Sequence, residues 1–248
     1  MRKFALPVLV GGMMLFAMNS WAQATVVNLD LDPSGEPLYT LQGAYVTGDA
    51  HHWNHGIGGN GTFAFENLTA SDGTTPTGWD VTLTLWGATG DGDATNALLG
   101  DFVYSYFAGA TTGRLTLSGL TPNGAYQVYL YNSMANESMK YIMGAASDFT
   151  GGSTQTVSGR PSSTNPSDIT GANPSYTAGT DYTVFNNLTA DGTGKIYGRF
   201  LSLLDNGGGH LAGIQIISIP EPSSVALTII GAVGILTGAR RRRGHIPS

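Results

Sequence analysis

The sequence predicts an all-β protein, an antiparallel β-sandwich accompanied by one short helix and a C-terminal transmembrane helix. Many runs alternate apolar and polar residues in the two-residue period of half-buried strands. Most of these runs are separated by glycine-rich turns, and the 248 residues include 36 glycines; short strands joined by such turns are typical of sandwiches and barrels. Cysteine is absent, so the fold depends on core burial and not on disulfide bonds.

Nine alternating runs are predicted to form strands. They comprise residues 26–31, 62–66, 79–86, 114–117, 125–131, 140–143, 182–185, 195–201 and 212–219. A hairpin is predicted around Pro122-Asn123-Gly124, because proline suits the second position of a turn and Asn-Gly tolerates positive φ. Residues 96–107 place five apolar side chains on one face at a 3.6-residue period, so a helix is predicted there.

A short motif occurs twice, 120 residues apart. Phe65-Glu66-Asn67-Leu68-Thr69-Ala70 resembles Phe185-Asn186-Asn187-Leu188-Thr189-Ala190, and each copy is followed by an Asp-Gly pair and a further predicted strand. The distance between the copies excludes a solenoid repeat. One local strand-and-turn solution is therefore expected at both places.

The first 24 residues have the features of an export signal. Arg2 and Lys3 come first, an apolar stretch covers residues 4–17, and Ala22-Gln23-Ala24 is the small-x-small pattern of a signal-peptidase site. We predict cleavage after Ala24, with signal peptidase as a partner during export. A retained anchor helix is the alternative, which the shortness of the apolar stretch disfavours.

The last thirty residues, 219–248, change solvent preference sharply. Pro220 and Pro222 flank Glu221 and end the preceding strand, since proline lacks a backbone donor and fixes φ. Residues 225–239 carry no charge and would form a helix of roughly 22 Å, short for a bilayer core of about 30 Å. The stretch ends in a basic cluster, Arg240, Arg241, Arg242 and Arg243. Arginines stay on the cytoplasmic side, so a membrane-inserted tail is predicted after a body of residues 25–218.

These three parts, in this order, resemble the PEP-CTERM sorting tail of exported bacterial proteins. The resemblance covers about a tenth of the chain. It implies that a membrane-embedded cysteine protease of the exosortase type recognises the tail, cuts near Pro220-Glu221-Pro222, and releases the protein or transfers it to the cell surface. An ordinary single-span anchor is the alternative, and under both interpretations the body lies outside the cytoplasm.

The segment between the processed ends is acidic. Residues 25–219 contain five basic and sixteen acidic residues, a net charge of −11, whereas the whole chain carries −6 because six of its eleven basic residues lie in the two ends. Such a charge repels nucleic-acid phosphates, so nucleic acid is not expected as a partner. It suits an exported domain that meets cations or neutral sugars.

A second resemblance concerns this body. Trp53-Asn54, residues 98–102, 118–131 and 208–217 are similar to the corresponding parts of exported domains with a galactose-binding-like jelly roll. The resemblance implies a jelly roll, a fold whose relatives commonly bind carbohydrate, so exopolysaccharide or other glycans are candidate partners. A generic β-sandwich is the alternative.

The densest chemical cluster is a run of five residues, His51, His52, Trp53, Asn54 and His55. Three imidazoles could coordinate a metal, and an indole beside an amide suits a sugar. Glycines follow directly and indicate a loop. The alternative interpretation is therefore a surface or partly packed loop with Trp53 in the core.

Two further sets of side chains are candidates for ligand contact. Asp91 and Asp93, with Asn96 and Asp101 nearby, offer the oxygen ligands that calcium prefers, although their spacing is not that of an EF-hand. A turn that caps the predicted helix is the alternative, and no cofactor other than a structural calcium is expected. Alternation places Tyr129 and Tyr131 opposite Val128 and Leu130, so only one of these two sets can reach a ligand.

Evidence for catalysis is thin. The chain contains no G-x-S-x-G, H-E-x-x-H or P-loop pattern and no cysteine nucleophile, so a non-enzyme is predicted. The predicted role is structural or adhesive, at the cell surface or in the extracellular matrix. A lectin-like carbohydrate-binding module is the alternative, and a carbohydrate-active enzyme with a hidden carboxylate pair is the third hypothesis.

Overall fold

The alternating runs of branched and aromatic residues form strands, because such side chains pack well on a pleated, half-buried surface. The computed structural model describes residues 23–31, 43–45, 51–55, 61–85, 89–91, 98–99, 101–105, 113–132, 137–159, 176–203 and 209–220. Within these residues the protein is all β and contains no helix. No helix in this part of the chain is long and apolar enough to cross a membrane; the predicted membrane segment, residues 225–239, lies outside it.

Fourteen strands occur in the described ranges. They are β1 (Val26–Asp30), β2 (Asn54–His55), β3 (Gly61–Phe65), β4 (Asp80–Leu85), β5 (Thr89–Asp91), β6 (Asp101–Ser105), β7 (Gly113–Ser118), β8 (Ala125–Tyr131), β9 (Met139–Gly144), β10 (Ser153–Val157), β11 (Tyr182–Thr189), β12 (Ile196–Ser202), β13 (Gly209–Leu211) and β14 (Gly213–Ile219).

The strands form two large sheets and one small sheet. The five-stranded sheet has the order β11-β8-β14-β1-β2, and the six-stranded sheet has the order β10-β9-β12-β7-β4-β3. β13, β6 and β5 form the third sheet. Neighbouring strands are antiparallel except for β1 and β2, which are parallel.

One hydrophobic core joins the two large sheets. Leu29 and Ile216 from the five-stranded sheet lie in the same cluster of buried residues as Leu83 and Leu115 from the six-stranded sheet. Side chains in both sheets alternate between this core and the outer face, as in the burial pattern of β12. Two antiparallel-dominated sheets with a common core are consistent with the predicted β-sandwich.

The compact unit that contains these sheets spans Thr25–Ile219, and the two chain ends, Met1–Ala24 and Pro220–Ser248, are assigned to a separate unit. At the boundary of the sheet-containing unit, the amide of Ser218 donates to the carbonyl of Thr25 at 2.9 Å. The amide of Thr25 in turn donates to the Ser218 hydroxyl at 2.7 Å. The first and last strands of this unit are neighbours, and β1 is paired along its whole length with residues 213–217 of β14.

The helix predicted over residues 96–107 is wrong where the structure describes this segment. Asp101–Ser105 form strand β6, which pairs with β5 on one side and β13 on the other. Val103 at the centre of β6 is fully buried. The aromatic and β-branched residues of this segment favour a strand, and hydrogen bonds to distant partners satisfy the backbone that a helix would have satisfied locally.

The predicted hairpin around Pro122-Asn123-Gly124 is also wrong, although the turn itself is present. Asn123 has φ 59°, and Gly124 donates to the carbonyl of Thr121 at 2.9 Å. However, β7 before the turn belongs to the six-stranded sheet and β8 after it belongs to the five-stranded sheet. The segment therefore crosses between the sheets instead of folding back. Alternation predicts which residues face the core, but it does not predict which strand is the partner.

The two copies of the repeated motif share a left-handed asparagine and a burial pattern, although the first copy begins at the last residue of β3 and the second lies within β11 as far as Thr189. Asn67 and Asn187 have φ values of 53° and 57°, the left-handed region that asparagine tolerates better than most residues. In both copies the leucine that follows the asparagine is buried, and so is the alanine two residues further on: Leu68, Ala70, Leu188 and Ala190.

Candidate functional site

The outer face of the five-stranded sheet carries a row of aromatic and amide side chains. On β8, Val128 and Leu130 lie in the core shared by the two sheets, so Tyr129 and Tyr131 are the set that points away from it. Tyr129 is the cross-strand partner of Gln215 on β14. Gln215 is in turn the partner of Asn28 on β1, so the three side chains form one row across the sheet.

A buried hydrogen-bond network lies at the centre of this row. The Oε1 atom of Gln215 accepts a hydrogen bond from the amide of Tyr45 at 3.0 Å and another from the Tyr131 hydroxyl. The Nε2 group of Gln215 donates to Asn28 Oδ1 at 2.8 Å and to the carbonyl of Tyr45 at 3.3 Å. Gln215 and Asn28 are both 1% exposed, and a buried amide is stable there only because its bonding capacity is filled.

This network holds residues 43–45 against the sheet. The amide of Ala44 donates to the Tyr131 hydroxyl at 2.6 Å. A Cβ atom on Gly43 would lie 2.6 Å from the Gln215 side chain, a distance too short for any larger residue without rearrangement. The closeness of this contact places Tyr45 over the outer face.

Four half-buried tyrosines lie over this face: Tyr45, Tyr129, Tyr176 and Tyr182, called here the tyrosine patch. The ring centroids of Tyr129 and Tyr182 are 5.5 Å apart, and those of Tyr129 and Tyr45 are 6.0 Å apart. The ring of the fully buried Tyr131 lies beneath, 5.4 Å from Tyr176 and 5.9 Å from Tyr182. These separations are typical of favourable aromatic pairs.

The phenol of Tyr129 is protonated at neutral pH. Burial raises the pKa of Tyr129, and the neighbouring Tyr182 and Tyr45 raise this pKa further. A protonated phenol is both a donor and an acceptor of hydrogen bonds beside an apolar ring face. The patch therefore offers the combination that a sugar ring with hydroxyl groups requires.

Trp53 and Asn54, the predicted sugar-contacting pair, have structural roles. Trp53 is 3% exposed and packs edge-on against Tyr131, with the centroids 6.3 Å apart. Asn54 Nδ2 donates to the carbonyls of Asn28 and Thr69 at 2.9 and 2.7 Å, and its Oδ1 accepts from the Thr69 amide at 2.8 Å. The Asn54 amide thus joins β1 and β2 to the chain at residue 69.

The three histidines of this segment occupy different environments. His52 is exposed and its backbone binds Ser71 and Asn28, whereas His51 and His55 are half-buried. His55 is the register partner of Asp30 on β1. Among the described residues, no three histidine, aspartate or glutamate side chains converge as a metal site would require.

Two of the predicted calcium ligands, Asp91 and Asp101, belong to strands of the small sheet. Asp91 ends β5 and is the register partner of Asp101, the first residue of β6. Asp93 and Asn96 lie outside the described residues, as do the sorting and processing residues Ala22, Glu221, Pro222 and the arginine cluster. Ala24 and Pro220 are described and lie just outside the first and last strands of the sheet-containing unit.

One ionisable pair joins the buried His210 of the small sheet to the half-buried Glu137. His210 Nε2 is 3.2 Å from Glu137 Oε2, and the carbonyl of His210 accepts a hydrogen bond from Tyr141 at 2.9 Å. Burial lowers the pKa of His210 to about 4 and raises the pKa of Glu137. The imidazole is therefore neutral at pH 7, so the contact with Glu137 is not a full ion pair there.

Sequence reasoning identified Tyr129 and Tyr131 but missed Gln215, Asn28, Tyr45 and Tyr182. A signal for Gln215 was present, because it is the one polar residue within Ile214-Gln215-Ile216-Ile217 and a polar residue inside an apolar strand requires a buried partner.

Comparisons of the chain with protein-family models, with curated proteins and with solved structures yielded no significant match.

Proposed function

We propose that this chain is an exported protein of the cell surface or extracellular matrix, sorted by a PEP-CTERM-type tail and structural or adhesive in role. The observation that carries the proposal is the order Pro220-Glu221-Pro222, apolar stretch and arginine cluster, opposite an N-terminal segment with a signal-peptidase pattern. The tail inserts into the membrane until the protease cleaves it, and its removal leaves an acidic, cysteine-free body outside the cell.

The hydrogen bonding of the body supports the two proposed cuts. Thr25 and Ser218 bond to each other, and β1 pairs with β14 along its length. Cleavage after Ala24 and near Pro220 would therefore leave both terminal strands paired. Because β1 and β14 stay paired, we expect the body to retain its core after both ends are removed.

The mature mass and location of the protein test this sorting. The chain is expressed in a bacterium with an exosortase-type protease, and we expect a surface or secreted product that begins at Thr25 and ends near Pro220. Replacing Pro220, Glu221 and Pro222 with alanine should hold the product in the membrane with an intact C-terminus. Alanine at Ser223 and Ser224 is the matched control. Unchanged release of the triple variant would refute the sorting proposal.

A carbohydrate-binding role is the second candidate, and the tyrosine patch favours it. Half-buried rings beside phenolic hydroxyls can stack on the C–H faces of a sugar and bond its hydroxyls. Because Trp53 is buried and the Asn54 amide is bonded to backbone, we place the contact on the patch and not on that pair. The jelly-roll class, whose relatives commonly bind glycans, remains part of this proposal, and an experimental structure would test it.

A glycan array with the full chain separates the two roles. Binding that Tyr129→Ala abolishes would establish the carbohydrate-binding role. Tyr197→Ala is the matched control, since Tyr197 is a half-buried tyrosine of the other large sheet. The array is run with calcium and with a chelator, so dependence on calcium would indicate a site that includes Asp91 and Asp93. No binding under either condition would leave the structural role.

The proposed role is non-catalytic, and the same glycans test this. Each bound or unbound oligosaccharide is incubated with the protein and analysed by mass spectrometry for shorter products. Cleavage would support the third hypothesis, a carbohydrate-active enzyme. The catalytic groups would then be a pair of carboxylates that face each other across a cleft.

A further inference from the structure

A second surface lies on the outer face of the six-stranded sheet, built around Arg114 and Arg199, called here the arginine pair. Arg114 on β7 and Arg199 on β12 are direct cross-strand partners. Their sequence neighbours Leu115 and Phe200 are 1% exposed and belong to the core. Both arginines therefore point away from the core.

Two like charges directly opposite each other destabilise a sheet, so the arginine pair is unfavourable unless another interaction offsets the repulsion. No carboxylate of the described residues lies within 4 Å of either guanidinium. The Nε atom of Arg199 is buried and has no hydrogen-bond partner in this part of the structure. This is unexpected in a body with sixteen acidic residues and only five basic ones.

Both guanidinium groups lie against the ring of Phe149. Its ring centroid is 5.1 Å from Cζ of Arg199 and 6.0 Å from Cζ of Arg114, within the range of cation–π attraction. Phe149 has φ 64°, a conformation that is rare for a bulky residue. Its amide bonds to the carbonyl of Ala146 at 2.9 Å and its carbonyl accepts from Gly152 at 3.0 Å, so the turn fixes the ring in place.

Around the arginine pair this face carries one lysine and two threonines, beside the apolar Ile142 that is the partner of Arg199 on β9. Thr84 is the cross-strand partner of Arg114, and its hydroxyl lies 3.0 Å from that of Thr62 on the next strand. Lys140 pairs with Leu201, two residues beyond Arg199, and so adds a third cation to the same face. Neighbouring strands are about 4.8 Å apart, so these groups form a continuous strip across the sheet.

We infer that the arginine pair, which lies against the Phe149 ring, binds the carboxylate of a uronic acid within an acidic polysaccharide. Guanidinium groups match a carboxylate with paired hydrogen bonds, and a bound anion would relieve the repulsion between the two arginines. The threonine hydroxyls of the same strip suit the sugar hydroxyls that flank the carboxylate. This inference rests on the surface role proposed above and supplies its adhesive contact.

A polysaccharide fits this surface better than a nucleic acid does. Nucleic acid presents a phosphate every few ångströms and needs an extended basic surface, whereas here three cations stand within a body of charge −11. A chain with isolated carboxylates meets the arginine pair without bringing many charges close to the acidic remainder.

Binding of defined oligosaccharides to the purified full chain tests the inference. The probes are an oligogalacturonate, the same oligomer with its carboxylates methyl-esterified, and inorganic phosphate. We expect the oligogalacturonate to bind, with a dissociation constant that rises as salt is increased, and the esterified oligomer to bind at least tenfold more weakly. Arg114→Gln with Arg199→Gln removes two positive charges and should also weaken binding at least tenfold, whereas Lys195→Gln, which removes one positive charge outside the arginine pair, should leave it within twofold.

Further variants distinguish recognition from general charge and from loss of fold. Arg114→Lys with Arg199→Lys keeps both charges but removes the planar donor pairs, so it should also weaken binding. Phe149→Gly removes the ring and suits the local φ, so it should weaken binding while the protein remains folded. The denaturation midpoint of the Arg→Gln double variant should change little, because removal of the repulsion between the two like charges offsets the loss of their contacts with the Phe149 ring.

The possible outcomes each decide the matter. Equal binding of the esterified oligomer, or full binding by the double glutamine variant, would overturn the inference. Binding of inorganic phosphate but not of oligogalacturonate would show a site for small anions only, and would also overturn it. Sorting of the chain is measured separately by mature mass and location, so a failure here is distinct from a failure of the sorting proposal.

Discussion

Replacing Asn54 with alanine tests whether this residue holds the fold together or contacts a ligand. Its amide makes three hydrogen bonds to backbone groups, at the carbonyls of Asn28 and Thr69 and at the amide of Thr69. Alanine removes all three and leaves these backbone groups without their partner. A purely ligand-binding asparagine would leave stability unchanged when replaced.

The expected loss follows from the count of these bonds. A hydrogen bond contributes about 1 kcal/mol net, and an unsatisfied buried partner costs as much or more, so Asn54→Ala should lower the free energy of unfolding by about 3 kcal/mol. With a denaturant slope of roughly 3 kcal/mol/M, this lowers the urea midpoint by about 1 M. The melting temperature should fall by roughly 6 to 12 °C for a domain of this size.

Urea unfolding of the full chain in a mild detergent, followed by tryptophan fluorescence, measures this loss. Trp53 and Trp79 are 3% and 7% exposed, so their emission should report loss of the core. His52→Ala is the control, because the exposed His52 side chain should contribute less than about 0.5 kcal/mol. If Asn54→Ala unfolds at the same urea concentration as His52→Ala, the structural role argued for Asn54 is wrong.

The remaining predictions concern ionisation, backbone conformation and the buried polar network. Burial lowers the pKa of His210 to about 4 in the folded protein, so on acidification the unfolded chain binds a proton before the folded protein does. The free energy of unfolding should therefore be highest above about pH 6.5 and fall by up to about 3 kcal/mol toward pH 4. His210→Gln should flatten this decline in the urea midpoint, although the raised pKa of Glu137 acts in the opposite direction. Gly119→Ala should destabilise by several kcal/mol, roughly the cost of a severe backbone clash, because φ is +73° and the new Cβ would lie 2.0 Å from the carbonyl oxygen of Gly78. Tyr131→Phe should cost about 2 kcal/mol in the same assay, since the amide of Ala44 and the Gln215 carbonyl oxygen each lose a partner.

Each of these predictions has a result that contradicts it. A midpoint of unfolding with the same pH dependence in His210→Gln and in the unaltered chain would remove His210 as the cause. Gly192→Ala is the control for Gly119→Ala, because a Cβ at Gly192 meets no atom within 4 Å; equal effects would exclude the clash. A neutral Tyr131→Phe would show that the network does not hold residues 43–45.

Properties that depend on neighbours along the chain were predictable. Alternation correctly separated Val128 and Leu130 from Tyr129, because successive side chains in any strand point to opposite faces. The repeated motif correctly indicated one local structure at Asn67 and Asn187, since a left-handed residue depends on its own side chain and its immediate neighbours. The candidate site was therefore half visible, through the tyrosines of β8.

Partners across the sheets were not predictable from the pattern. Residues 101–105 satisfied a helical period, yet hydrogen bonds from β5 and β13 made them a strand. The turn at Pro122-Asn123-Gly124 was recognised, but its two strands joined different sheets. In both cases the decisive contacts come from segments far away in sequence, about which a local period carries no information.

By itself the sequence determined the β class, the faces of the strands, the local turns and the acidic, cysteine-free character of the body, since composition and side-chain direction are properties of the chain alone. Only the tertiary structure decided that Asn54 bonds backbone and that Tyr45 lies over Tyr129. It alone also brought Arg114 opposite Arg199. Strand register brings together residues far apart in the sequence, such as Gln215 and Asn28, which are 187 positions apart, and that register is set by the packing of the whole core.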